Sequence, residues 1–145
     1  MKLSTRARYG LRALVEMASA PDGAPVSVRL IAKRQAISPK YLEQIIHDLR
    51  AAGLVNASRG FHGGCTLARP AGEINLMEVY GVLEGSSALV DCVGDPAECR
   101  RSNACPTRDV WRDMGKAMEK VLSKTTLLDL VERNADPEAA AFYEI

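Results

Sequence analysis

Apolar residues recur along this chain at spacings that separate it into helices, one hairpin and a polar loop. From Ser4, residues Tyr9, Leu11, Leu14, Val15, Met17 and Ala18 fall at helical intervals until Pro21-Asp22-Gly23 stops the pattern. Ser27 is placed to cap a short helix, Val28 to Gln35, with Leu30, Ile31 and Ala32 facing inward. Ser38-Pro39 opens another helix, because proline is favoured at a first helical position. It is expected to run to about Ala52, to bury Leu42, Ile45, Ile46 and Leu49, and to end at Gly53.

Two helices joined by the short Ala36-Ile37 turn, with small Ala32 at their crossing, fit a helix-turn-helix. Next, Leu54–Arg59 and Cys65–Ala68 read as short strands around Gly60-Phe61-His62-Gly63-Gly64, a hairpin wing. Asn75-Leu76-Met77-Glu78 resembles a capping box for a helix reaching about Glu84. Gly85 to Asn103 is rich in Gly, Ser, Asp and Pro and is expected to be a loop. Pro106 is expected to open a long helix whose Val110, Trp111, Met114, Ala117, Met118, Val121 and Leu122 form an apolar stripe. A last short helix is expected near Thr126 to Arg133.

The predicted fold is therefore mainly α with a small β hairpin: a winged helix-turn-helix followed by a long helix. Residues 1–70 are expected to form the winged helix-turn-helix DNA-binding region, and residues 71–145 the loop and dimerisation helices, in one compact domain. A small winged helix rarely needs so long an apolar seam. Self-association through Trp111, Met114, Met118 and Val121 would bury it and create a two-fold reader; packing on the chain's own first helix is the competing account.

Composition adds little until it is split along the chain. The 145 residues are 47% apolar and 26% charged, as in a globular domain, and only 5% aromatic. Residues 1–69 carry eleven Lys/Arg against four Asp/Glu, a balance of +7, whereas residues 70–145 carry eight against fourteen, a balance of −6. A basic front half can release DNA counterions, so double-stranded DNA is the expected partner. No apolar run approaches the roughly 20 residues that span a bilayer, and MKLSTRARYG holds no signal-peptide core. A cytoplasmic protein with no membrane partner is expected, and with it reduced cysteines. The chain lacks a Gly-rich nucleotide loop, a Ser/His/Asp set and a CxxC pair, so an enzyme is not expected.

On the helix from Pro39, the side opposite the core presents Lys40, Tyr41, Glu43, Gln44 and His47, with Ser38 at its start. Gln pairs with adenine, Glu accepts from cytosine N4, and Lys holds phosphate or guanine. Arg59, beside the wing glycines, suits a narrow minor groove, and Arg6, Arg8, Lys33 and Arg34 suit the phosphate backbone.

Cys92, Cys99 and Cys105 lie within one fourteen-residue stretch. Three thiols in a reducing compartment point to a soft metal, either an iron–sulfur cluster or zinc with a fourth ligand such as Cys65, His62 or His47. Cys105-Pro106 would set the last thiolate at a helix N-terminus, and Arg100, Arg101 and Arg108 would offset cluster charge. Cys65 reads instead as a small semi-buried residue.

The start MKLSTRARYG, the block Ile37–Gln44 (ISPKYLEQ), AAGLV followed by SRG, the wing GG, and the cysteine loop followed by Val110–Met114 (VWRDM) resemble the IscR-like family of winged-helix iron–sulfur regulators. The likeness covers nearly the whole chain. It implies a homodimeric repressor on a palindromic operator, with the long helix as the dimer contact and Cys92, Cys99 and Cys105 as cysteinyl ligands. It implies that Glu43 and Gln44 read bases, that Arg59 enters the minor groove, and that Glu43 makes operator choice depend on cluster occupancy. A 2Fe–2S cluster is the first expectation and 4Fe–4S the alternative; a nitric oxide-sensing relative and a zinc-stapled constitutive DNA binder are the alternative functions. Some members complete the ligand set with a histidine three residues after the last cysteine, where this chain has Arg108. Others use a carboxylate near the partner's N-terminus, where this chain has Arg8. Asp91, Asp95, Glu98, Asp109, water or a small thiol are left for the fourth position.

Overall fold

A computed structural model describes residues 3–135; the rest of the C-terminal half proposed from sequence lies outside them. Its first helix, α1 (Thr5–Ala18), starts where the Ser4 side chain accepts from the Ala7 amide. Helix α1 buries Ala7, Gly10, Ala13, Leu14 and Met17 against the helices that follow.

Helices α2 (Val28–Gln35) and α3 (Pro39–Ala51) form the helix-turn-helix. Ser27 caps α2 by accepting from the Leu30 amide, as its position predicts. The turn between the helices is made by Ala36, whose left-handed φ of 52° lets the chain reverse tightly. Leu42, Ile45, Ile46 and Leu49 are buried, as expected. Leu30 is not: it lies about 100° round the helix from buried Ile31, on the solvent side.

Strands β1 (Val55–Ser58) and β2 (Gly64–Leu67) pair antiparallel, with Ala57 opposite Cys65. Val26 and Cys65 exchange both backbone hydrogen bonds, at 3.0 and 2.8 Å, so the segment before α2 braces the wing. That approach requires glycine at position 64, where a Cβ would stand 2.9 Å from the Val26 backbone.

Helix α4 (Leu76–Glu84) begins with Asn75 accepting from the Glu78 amide. The cysteine segment contains more order than its composition predicts. A single helical turn, α5 (Asp91–Gly94), is followed by tight 3-10 turns at Pro96–Glu98 and Ser102–Ala104. The long helix α6 spans Arg108–Lys124, so it starts two residues later than expected from Pro106. Helix α7 (Leu127–Ala135) is held to the start of α4 by Leu76 N–H to Thr125 O (2.8 Å) and Leu127 N–H to Ile74 O (3.0 Å).

One core joins these elements. Leu14, Ile31, Leu42, Ile45, Leu49, Leu54, Val55, Ile74, Val79 and Leu127 are its largest fully buried side chains. Helices α3 and α4, the latter leading into the cysteine segment, therefore share packing through α1.

Candidate DNA interface and cysteine segment

The solvent side of α3 forms one groove lined by Arg6, Lys40, Tyr41, Glu43, Gln44, Ile45, His47 and Asp48. Lys40, Glu43, Gln44 and His47 are exposed because the core takes the other side of the helix at 3.6-residue spacing. Tyr41 is half-buried and rests edge-on against Tyr9, ring centroids 6.2 Å apart, while the Arg12 guanidinium lies 5.7 Å over Tyr9. This stack fixes the first turn of α3 relative to α1. Ser38 is exposed at the start of α3 and makes no side-chain cap.

Arg6 reaches the groove from α1, with Nη2 donating to Asp48 at 2.6 Å. Both side chains are about 40% exposed, so the pair adds little stability and mainly holds the guanidinium in place. Its buried Nε has no hydrogen-bond acceptor among the described residues. Arg8 does not join this surface. Two residues along α1 from Arg6, it points to the opposite side, into a groove with Leu3, Leu11, Leu76, Tyr80 and Leu83. Arg34 is paired with Glu16 at 3.1 Å, and Gln35 bridges Glu16 and Arg12, so this end of α2 fastens the motif to α1. Arg59, just past β1, is exposed and makes no ion pair among the described residues.

On the other flank, Cys92 lies in α5, Cys99 after the Pro96–Glu98 turn and Cys105 after the Ser102–Ala104 turn. All three are free, partly exposed thiols, whereas Cys65 is buried in the wing. Burial raises the Cys65 pKa, with Arg50 opposing weakly, which keeps this thiol neutral and unsuited to ligation. Cys105 is pulled the other way. The Thr107 hydroxyl, 3.2 Å from its sulfur, lowers its pKa first, then the Thr107 and Arg108 amides and the Arg101 charge. The helix start thus favours thiolate, although α6 begins three residues beyond Cys105.

Two contacts tie this segment to α6. Arg108 Nε donates to the Cys92 carbonyl at 2.8 Å. Ser87 Oγ donates to Glu119 Oε1, one turn along α6 from buried Gly115. Neither contact shows in the hydrophobic pattern, because each depends on the path of the loop. Within the segment, buried Ser102 donates to the Pro96 carbonyl at 2.8 Å, and Asp95 accepts from the Ala97 amide at 2.9 Å.

Three soft thiols, one of them biased toward thiolate, are a donor set that suits an iron–sulfur cluster or zinc. Among the described residues, however, no three His, Cys, Asp or Glu side chains converge as a ready cage. Arg108, three residues after Cys105, is engaged with the Cys92 carbonyl.

The apolar stripe of α6 divides. Val110, Trp111, Met114 and Val121 are exposed, while Met118 and Leu122 line the chain's own groove with α1 and α4. Met118 and Leu122 thus face the chain's own groove, as packing on the first helix requires, whereas Val110, Trp111, Met114 and Val121 stay exposed among the described residues.

The Rrf2 family profile, described as an iron-dependent transcriptional regulator, matches residues 3–133. The chain belongs to the Rrf2 family. Protein rrf2 of Nitratidesulfovibrio vulgaris strain Hildenborough is 44% identical over 131 residues, covering 90% of this chain and 87% of that protein. The structure of T. potens IscR superposes with a TM-score of 0.77 at 36% identity, covering 95% of this chain and 90% of that one. CymR, the global cysteine regulator of B. subtilis, has a TM-score of 0.76 at 36% identity, covering 91% and 97%. This Rrf2 protein is accordingly a winged-helix, DNA-binding transcriptional regulator and not an enzyme. No helix among its described residues is long and apolar enough to cross a membrane.

Proposed function

We propose that this Rrf2 regulator is a cytoplasmic, homodimeric repressor that reads a palindromic operator and whose affinity depends on an iron–sulfur cluster held by Cys92, Cys99 and Cys105. The observation that carries the reading is the attachment of the three-thiol segment to α6 through Arg108–Cys92 and Ser87–Glu119. Val110, Trp111, Met114 and Val121 on the exposed face of that helix form the dimer contact. A change in the segment therefore acts on the element that sets the separation of the two reading heads. Lys40, Tyr41, Glu43 and Gln44 read or position bases, Ser38 and Arg6 hold phosphate, and Arg59 enters the minor groove.

A bound cluster supplies a charged, oxidant-sensitive tie among three otherwise separate thiolates. The expected form is 2Fe–2S, with 4Fe–4S as the alternative. Its gain or loss must favour one arrangement by about 1–3 kcal/mol to change DNA affinity tens of fold. Cluster-assembly, iron or redox-stress genes are the target class. Protein purified anaerobically should be brown, with visible charge-transfer absorption that Cys92→Ala removes. Colourless protein with stoichiometric zinc would overturn the assignment.

Two observations favour a second reading. Arg108 holds a backbone carbonyl where a fourth ligand is expected, and the chain is as similar to CymR as to T. potens IscR. In that reading the cysteine segment carries no cluster and the regulator answers to another signal. Iron-replete protein that binds neither iron nor zinc would establish it.

A further inference from the structure

Phe61, at the tip of the wing, is 98% exposed, an unusual placement for the side chain with most to gain from burial. The tip geometry holds it out. Gly60 takes a φ of 109°, open to glycine and strained for other residues, and the chain folds back so closely that a Cβ at Gly63 would strike the Arg59 backbone at 2.7 Å. The Phe61 ring meets His62 edge to face, centroids 5.0 Å apart at 89°, so the two rings project as a unit. Its chemical surroundings are one-sided. Between Asp48 and Glu73 the chain carries Arg50, Arg59 and Arg69 and not a single acidic residue. Arg69 is paired with Glu78, whereas Arg59 makes no ion pair among the described residues, and an apolar ring two residues beyond that cation matches a polyanion that also offers apolar surface between its charges.

We propose that Phe61 is a wedge that enters the operator's minor groove beside Arg59 and unstacks a base step there. The proposal rests on the reading of Arg59 as a minor-groove residue and extends it from charge to shape. Arginine senses groove width, whereas an inserted ring tests how readily the step opens, which is least costly at pyrimidine–purine steps. Operator choice would then depend on base pairs that receive no hydrogen bond from the protein.

The test uses the full chain and a palindromic duplex selected from a random-sequence pool, with 2-aminopurine placed in turn at each step under the wing. The parent protein is expected to brighten one position, reporting an unstacked base. Phe61→Ala should bind about tenfold more weakly, within the range for a lost base-stacking aromatic, with the parent's salt dependence and no brightening. Phe61→Trp should restore both affinity and brightening. Because the ring touches no core residue, both variants should melt with the parent. Arg59→Ala separates the two levels. If it weakens binding while Phe61→Ala leaves affinity or brightening unchanged, the wedge is wrong and the wing reading stands. If neither substitution matters, the wing does not touch DNA and both fail. Loss of self-association in Phe61→Ala, seen by sedimentation, would make the ring a protein contact and overturn the proposal.

Discussion

Arg108 provides the sharpest local test of how the cysteine segment is held. Its Nε donates to the Cys92 carbonyl at 2.8 Å, bridging sixteen residues of chain. A hydrogen bond from a charged donor is worth about 1.5–3 kcal/mol, and partial exposure of Arg108 discounts this to about 1–2 kcal/mol. With about 1.4 kcal/mol per factor of ten, Arg108→Ala should speed local opening of α5 by roughly five- to thirtyfold. The reporters are the Val93 and Asp95 amides, which donate within that turn at 3.0 and 2.9 Å. Hydrogen exchange on cluster-free protein under anaerobic conditions should show both accelerating while the amides of α3 keep their rates. Arg108→Lys, lacking the directed Nε–H, should recover only part of the protection. Unchanged exchange at Val93 and Asp95, or equal acceleration in α3, would show that this contact does not hold the segment.

The other expectations concern stability and assembly. Leu42→Ala empties a fully buried site on the inner face of α3 and should cost about 2–5 kcal/mol in urea unfolding; a loss below 1 kcal/mol would contradict the core assignment. Val121 is 64% exposed in the protomer, so Val121→Glu with Met114→Glu should leave the melting temperature of the monomer intact yet abolish dimers in sedimentation. Persisting dimers would place the interface elsewhere. Asp129 accepts from the Thr126 amide (2.7 Å) and hydroxyl (2.9 Å) at the start of α7, and these bonds hold its pKa below the ordinary carboxylate value. A carboxylate with a depressed folded-state pKa stabilises above its unfolded value, and this is lost as pH falls toward the folded one. Asp129→Asn should therefore flatten the acid limb of the melting-temperature profile below about pH 4, and an unchanged limb would refute the cap's role.

Much of the fold is legible because local rules agree with the tertiary core. Ser27 and Asn75 mark helix starts through side-chain caps and Pro39 through its fixed backbone at the first helical position, signals that depend only on near neighbours, and the apolar stripe of α3 faces inward as its spacing requires. Leu30 breaks the pattern because hydrophobicity alone cannot say which edge of a short helix meets the core. The start of α6 falls two residues after Pro106 because Pro106 and Thr107 form a separate turn, closed by the Arg108 amide donating to the Cys105 carbonyl at 3.3 Å. The site is less legible than the fold. Lys40, Glu43 and Gln44 follow from helix geometry, whereas Arg6–Asp48, Arg108–Cys92 and Ser87–Glu119 are pairs distant in sequence that only the folded path brings together. Arg6 and Arg8 show the limit most plainly, since two equally basic neighbours on one helix face different sides of the molecule.

The measurement closest to the central claim is operator affinity in two states of the same preparation. Iron-replete protein, handled anaerobically, is titrated by fluorescence anisotropy onto the selected palindromic duplex before and after the cluster is removed by chelator, with Cys92→Ala as the permanently cluster-free control. Dissociation constants before and after stripping should differ about five- to 150-fold, with the control matching the stripped protein. Equal affinities in all three preparations would contradict the central claim.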